Sequence, residues 1–298
     1  MAKADKRKNK IRKTTEDHVM DIIVTVVLIA FTLICIYPIW YVIVGSFTSS
    51  SELVQNPGFL LWPKKVVTSA YRYVFSHQLL IGAYGNTIKI LLTSIPINIV
   101  LTLILGYFMA CEGMFWKKAI ISFVMFTMFF GGGLIPSYLN IRDLGLYNTH
   151  WAVILPGALG IGNAIIARKS IEAIPNSLMD AAYMDGANDF QIIFKVIMPL
   201  IKPTVAVLVL YYGVDIWNDW FKASIYLKEN KDMPLQNILR HILTAGAGIP
   251  GIGNENGEEF EETIKYAAII VSTVPILCVY PFLQKYFAKG ALVGAVKG

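Results

Sequence analysis

Asp215, Asn218 and Asp219 stand at i, i+3 and i+4 in an apolar stretch, a spacing that puts all three on one face of a helix. Trp217 and Trp220 are interleaved with them. Carboxylates and amides bond hydroxyl groups, and an indole stacks on the apolar face of a sugar ring. The cluster therefore has the equipment to hold a polyhydroxylated ligand. Asn98 is a further amide within an apolar run; polar groups in such runs mark transport pathways, because burying them in hydrocarbon is costly. The rival reading is plainer: tryptophans at the end of a span anchor it at the interface, and carboxylates there touch water.

Catalytic machinery is not found elsewhere in the chain. There is no G-x-x-x-x-G-K-S/T loop for nucleotide phosphates and no G-x-S-x-G elbow. His18, His77, His150 and His241 are scattered, with no two at a metal-binding helix spacing. Cys35, Cys111 and Cys278 lie far apart in or beside apolar runs and read as small hydrophobes. Gly131-Gly132-Gly133 has no lysine after it and reads as close helix packing or a local break in a span. No metal or cofactor is expected in this chain. Any energy source that drives it must come from outside.

The segment from Asp180 to Pro203, DAAYMDGANDFQIIFKVIMPLIKP, is a polar, helix-patterned island between two apolar runs. Pro175-Asn176-Ser177 can open a helix with Asn176 or Ser177 as cap, and Asp180 then falls near the first turn, where a carboxylate suits the helix dipole. Ala181 and Ala182 let another surface approach the backbone. Gly186 permits a bend or a left-handed turn. Phe190, Ile193, Phe194 and Ile197 recur at helical spacing, which predicts a second amphipathic helix lying on the membrane face. Pro199 and Pro203 end it and start the next apolar run. The expected shape is a stiff elbow: helix, glycine bend, helix, proline exit.

Composition says what surrounds these groups. The 298 residues are 55% hydrophobic and 15% charged, with mean hydropathy +0.56; soluble domains carry about 25% charged residues. A span needs about 20 apolar residues to cross roughly 30 Å of hydrocarbon. Six segments meet this, at about 20–46, 86–111, 118–140, 150–168, 203–222 and 265–287, with Pro96 and Pro275 inside two of them. The fold class is an all-α integral membrane protein in contact with lipid. The first run lacks the shortness and the A-x-A site of a cleaved signal peptide, so it reads as an uncleaved span.

Charge sets the orientation. Seven Lys or Arg fall in residues 1–13, Lys117-Lys118 follow the second span, Arg168-Lys169 the fourth, and Lys285, Lys289 and Lys297 the sixth. Residues 228–262 hold seven acidic against three basic residues. Both termini, the basic segment 1–19, the island within loop 169–202 and the tail 288–298 are expected in the cytosol, and the glycine-rich loop 223–264 outside. Lys64, Lys65 and Arg72 in the outer loop 47–85 run against the rule, which long loops often escape. The net charge of +6 is a membrane-orientation signal and not a nucleic-acid footprint.

D-A-A-Y-M-D-G-A at 180–187, followed by Phe194 and Pro199, resembles the cytoplasmic EAA loop of permease subunits in bacterial ABC importers, with Asp180 where that family mostly has Glu. The basic N-terminus, the six spans, Trp217-Asn218-Asp219-Trp220-Phe221 and the tail from Gly290 to Gly298 are similar to carbohydrate permeases of the maltose-transporter type. Phe129-Phe130-Gly131-Gly132-Gly133-Leu134-Ile135-Pro136 looks like the sub-branch for complex oligosaccharides. The resemblance implies a type I importer fold in the bacterial cytoplasmic membrane. It implies a second, homologous permease, two P-loop ATPase subunits that bind ATP and Mg, and an extracellular or periplasmic solute-binding protein that delivers sugar. It assigns coupling to the ATPase to Asp180, Ala181, Ala182, Met184, Asp185, Gly186, Ala187, Phe190 and Pro199. Its tail would reach the ATPase dimer, unless that end is merely disordered. A permease for another solute class and an ion-driven secondary transporter are the alternatives; internal inverted repeats and paired intramembrane carboxylates would favour the latter.

Overall fold

The computed structural model describes residues 14–55, 58–76, 78–111, 113, 116–244 and 261–295. The basic segment 1–13, the glycine-rich part of the outer loop at 245–260 and residues 296–298 lie outside the described residues. Everything regular among the described residues is helical.

Helix α1 (Thr15–Gly45) opens on a capping box, in which Thr14 and Asp17 each satisfy the other's backbone amide. It is apolar all round and buries only Val44 and Gly45, as a helix jacketed by hydrocarbon does. At that end a Cβ on Gly45 would stand 3.1 Å from the Tyr266 ring. Tyr37 and Trp40 clasp the following loop through the carbonyls of Gly58 and Leu61. Two short helices, α2 (Ser50–Gln55) and α3 (Ser69–Ser76), precede α4 (Gln78–Ala110), which begins eight residues before the expected span and runs straight through Pro96.

The third span is not one helix. α5 (Lys117–Phe129) and α6 (Leu134–Asp143) meet at 109° across the glycine triplet, with Gly133 at φ 87°. A side chain is disfavoured in that left-handed backbone, so glycine is what the break requires. The fourth span is broken as well. α7 (Trp151–Ile154) and a 3-10 turn at Leu155–Gly157 lead, at 48°, into α8 (Ile161–Glu172). Pro156, with no N–H, sits in that turn and interrupts the helix ladder.

The island follows as α9 (Asn176–Met184), α10 (Asp189–Gln191), a π-helical stretch at Ile192–Ile197 and α11 (Met198–Leu200). α12 (Lys202–Asn218) then leaves at 92°. Outer residues form α13 (Phe221–Tyr226) and α14 (Leu235–Thr244) before α15 (Glu261–Ala295). The helix of α15 passes the expected end of the last span at 287 and carries the expected tail as helix to Ala295. On their own, α1 and Leu79–Ala110 of α4 are long and apolar enough to cross a membrane, and counting each of the three bent pairs as one span brings the number up to five among the described residues.

Two clusters hold the bundle. The outer one packs α3, α4, α14 and α15 around Trp217, Leu235 and Ile238. The other packs α4, α8 and α12 together with the island, through Leu103, Ala167, Ile192, Ile197 and Leu208. α4 and α8 cross so closely that a Cβ on Gly106 would lie 2.9 Å from that of Ala167; small residues at the crossing let the backbones meet.

Candidate functional site

The elbow is built by complementary helix ends. α9 starts at Asn176, with Pro175 in the cap position and no side-chain cap. Neither Asn176 nor Ser177 caps it: both lie within the helix, and Pro175 at the cap has no side-chain acceptor. At its other end the Gly186 amide bonds Tyr183 O at 3.0 Å and the Ala187 amide bonds Ala182 O at 3.0 Å. With Gly186 at φ 80°, this is a complete Schellman turn, which satisfies the last carbonyls of α9. Asn188 then caps α10 in a capping box with Gln191, at 2.9 and 3.1 Å. One residue therefore separates the stop signal of one helix from the start signal of the next.

The second arm does not lie with its whole apolar stripe on the membrane face. Ile192, Ile193 and Ile197 are buried in the bundle core and Phe194 is half-buried, while Phe190 stays 64% exposed. The π-helical stretch rotates the side chains between 192 and 197, so the 3.6-residue stripe does not survive. Pro199 does not end the arm. It sits in the first turn of α11, and the corner falls at Ile201, with Pro203 in the first turn of α12.

Asp180, Ala181, Met184, Asp185 and Gly186 are exposed, and Ala182 and Ala187 are half-buried against the core. Met184 is 87% exposed, more than Phe190 or Leu178 on the same elbow. Asp180 lines a polar cleft of about 680 Å³ with Tyr107, Lys117, Arg168, Glu172 and Tyr183. At its rim Arg168 and Lys169 bond Glu172 at 2.6 and 3.1 Å, and the Arg168 bond first of all holds the Glu172 carboxyl below its ordinary range. Lys117 donates to the carbonyls of Ala110 and Cys111, closing the end of α4.

Tyr107, Tyr183 and Asp189 were not singled out by sequence. The Tyr107 hydroxyl lies 2.6 Å from that of Tyr183 and 2.9 Å from Asp189 Oδ1, and the Tyr183 hydroxyl lies 2.6 Å from the same oxygen. Donation by Tyr183, then by Tyr107, pulls the Asp189 carboxyl down, and the same carboxylate, before any other cause, pushes the Tyr183 phenol up. No local pattern announces a contact across 82 residues.

The outer cluster is divided by the structure. Asp215 and Asp219 line a small cavity of about 20 Å³ with Asn98, Ser94 and Lys222. Lys222 Nζ bonds Asp219 at 2.7 Å; their i, i+3 opposite charges were a readable signal. Asn98 is buried at 1% exposure. Its nitrogen faces the carbonyls of Ser94 and Ala158 at 2.8 and 3.2 Å, so it satisfies backbone at the break of the fourth span. Trp217 points away into the outer core, and its indole donates to Ser272 O at 3.2 Å. Asn218 is exposed and bonds back to Val214 O at 2.8 Å. Asp219 caps α12 outside the helix, so the three polar groups do not share one helical face. Trp220 takes the Arg240 guanidinium on its ring at 3.4 Å. Among the described residues no group of three His, Cys, Asp or Glu is placed to hold a metal.

Residues 85–293 match the family described as binding-protein-dependent transport system inner membrane component. A polygalacturonan/rhamnogalacturonan transport system permease protein of Bacillus subtilis is 37% identical over 95% of this chain and 100% of the relative. An arabinooligosaccharides transport system permease protein of Halalkalibacterium halodurans is 27% identical over 89% of this chain and 92% of its own. Among solved structures, a bacterial ABC transporter involved in the import of the acidic polysaccharide alginate superposes with a TM-score of 0.85 at 31% identity, over 93% of this chain and 99% of that one. All-helical, apolar and bent around a capped elbow, the chain belongs to the binding-protein-dependent transport system inner membrane components, the multi-pass permease subunits of ABC importers, which are transport components and not enzymes.

Proposed function

We propose that this chain is one permease subunit of an ATP-driven importer that carries an oligosaccharide across the bacterial cytoplasmic membrane. The observation that carries the reading is the elbow at 176–201. Its two arms are joined by the Schellman turn at Gly186 and the capping box at Asn188, one arm is rooted in the core by Ile192 and Ile197, and the other presents Asp180, Ala181, Met184 and Asp185 to solvent. A joint of that build transmits force without holding any chemistry of its own. In a six-span arrangement with both termini inside it lies in the cytosol, where two ATPase subunits that bind ATP and Mg engage Asp180, Ala181, Ala182, Met184, Asp185, Gly186, Ala187 and Phe190. Closing of the ATPase pair biases a two-state bundle between inward-open and outward-open forms. The tail beyond Lys289 reaches toward the same ATPase pair.

A second, homologous permease completes the pathway. Exposed apolar residues such as Phe123, Phe126, Phe129 and Ile135 on α5 and α6 meet that subunit or lipid. An external solute-binding protein delivers the cargo, as supported by an alginate ABC transporter solved in complex with an alginate pentasaccharide-bound periplasmic protein. Relatives named for polygalacturonan, arabinooligosaccharides and melibiose/raffinose/stachyose import support a carbohydrate as cargo. Asp215, Asp219 and Lys222 are the polar groups offered to it, with Asn218 exposed beside them. Trp217 and Asn98 shape that region from behind.

Affinity purification of the chain from gently solubilised host membranes tests this reading. It predicts a P-loop ATPase and one homologous permease in the same complex. A monodisperse complex that contains neither would refute it.

A further inference from the structure

α9 buries none of its residues. Apolar packing by Met179 and Ala182, both only half-buried, holds it weakly, so its polar tie to the spanning bundle matters. That tie is the triangle of Tyr107 at the end of α4, Tyr183 on α9 and Asp189 at the start of α10.

The triangle has three short oxygen–oxygen contacts and only two protons. Each phenol donates once, and an ionised carboxylate donates nothing. If both phenols donate to Asp189, the two hydroxyl oxygens face each other at 2.6 Å with no proton between them. If Tyr107 donates to Tyr183, its contact with Asp189 at 2.9 Å is the one without a proton. If Tyr183 donates to Tyr107 and Tyr107 to Asp189, the Tyr183–Asp189 contact is the one without a proton; in every arrangement the Tyr107 proton has two acceptors within reach and needs one. The hydroxyl of Tyr107 can pass from one to the other by rotation about its C–O bond, without desolvation.

We propose that Tyr107 is a pivot that keeps the second span attached to the coupling elbow throughout its stroke, exchanging Tyr183 for Asp189 as the elbow rocks. This rests on the importer reading above and adds to it a positioning residue on a span far from the elbow in sequence. A fixed link would have to break once in each cycle; a link with two acceptors and one proton does not. The two acceptors lie on opposite sides of the Gly186 turn, one on each arm, which is where a rocking joint needs them.

The pivot makes an uncommon prediction for variants. Loss of either acceptor alone leaves Tyr107 a partner, so Tyr183→Phe and Asp189→Ala each keep sugar moved per ATP hydrolysed within about twofold of wild type. Tyr107→Phe removes the polar tie to α9, leaving only the apolar packing of α4 on the second arm, and lowers that ratio by about fivefold or more, the smallest factor usual for coupling between sites. Tyr183→Phe/Asp189→Ala reaches the same loss from the elbow side, with α4 untouched, and serves should Tyr107→Phe fold poorly. The experiment uses the whole importer in vesicles, with digests of polygalacturonan, arabinooligosaccharides and alginate as probes. ATP hydrolysis and ATPase co-purification are measured on the same preparations. A wild type that pumps, with Tyr107→Phe at the same ratio or with Tyr183→Phe alone as damaging as Tyr107→Phe, overturns the pivot and leaves the importer standing. A wild type that assembles with its partners and moves none of these sugars on ATP overturns the carbohydrate reading and the pivot together.

Discussion

The Tyr212 hydroxyl on α12 accepts the backbone amide of Gly160 at 2.9 Å, closing the break in the fourth span from the neighbouring helix. It also lies 2.6 Å from the Thr102 hydroxyl on α4, so one phenol stitches three spans. A span can be broken inside a membrane only where a neighbouring helix, a hydroxyl side chain or an ordered water satisfies the freed backbone. Tyr212→Phe leaves Gly160 and Thr102 without that partner. It should destabilise the permease by about 1–3 kcal/mol, read as a fall in thermal midpoint in detergent. An unchanged midpoint would mean that water replaces the phenol.

Gly106 tests the α4–α8 crossing. Any Cβ there meets the Ala167 methyl at 2.9 Å and Arg168 N at 3.2 Å, and neither can swing away. Gly106→Ala should be mildly destabilising and Gly106→Val severely so, by about 1–3 kcal/mol for overpacking, measured by yield and monodispersity after extraction. Equal behaviour of the valine variant and wild type would show that the helices part without cost.

Asp215 and Asp219 are the accessible carboxylates of the outer cavity, and Asp219 also holds Lys222. Asp215→Ala should weaken sugar uptake with assembly intact, while Trp217→Ala should lower stability, since its ring fills the outer core. Uptake curves and thermal midpoints on both variants separate the two effects. Uptake unchanged in Asp215→Ala counts against a sugar contact there.

The Tyr183–Asp189 bond sets a pH window. Asp189 sits below its ordinary value, so its contribution is present above about pH 4 and is lost as pH falls through the lowered one. Tyr183 sits above its ordinary value, so its contribution is present below about pH 10 and is lost as pH rises through the raised one. Coupling should therefore be flat from about pH 5 to 9 wherever the ATPase itself is flat. A step in sugar per ATP near pH 7 would exclude this pair as a fixed element of the elbow.

Much of the elbow was legible because its signals are local. The left-handed turn at Gly186 is read from glycine itself, and a break at Gly131–Gly133 is one of the two readings of that triplet; the capping box of Asn188 with Gln191 is an equally local signal that was not singled out by sequence. The π-helical stretch was not legible: it depends on how Ile192 and Ile197 pack on Leu103 and Leu208, contacts distant in sequence. The expected single face of Asp215, Asn218 and Asp219 did not form, for a geometric reason. Trp217 is two residues from Asp215 and so must face away from it, and Asp219 lies past the last helical residue of α12. The break in the fourth span was masked by an apolar run that continues through Pro156 and Gly160.

The central claim is that the elbow around Asp180 and Gly186 receives work from a separate ATPase. Gly186 has open space where a Cβ would go, so Gly186→Val acts through backbone strain and redirects the second arm without a clash. The deciding measurement is ATP-driven oligosaccharide uptake and ATP hydrolysis in vesicles containing the whole importer, for wild type, Gly186→Val and Asp180→Lys. Continued hydrolysis with uptake lowered about fivefold or more in both variants is the predicted result; uptake equal to wild type in both would contradict it.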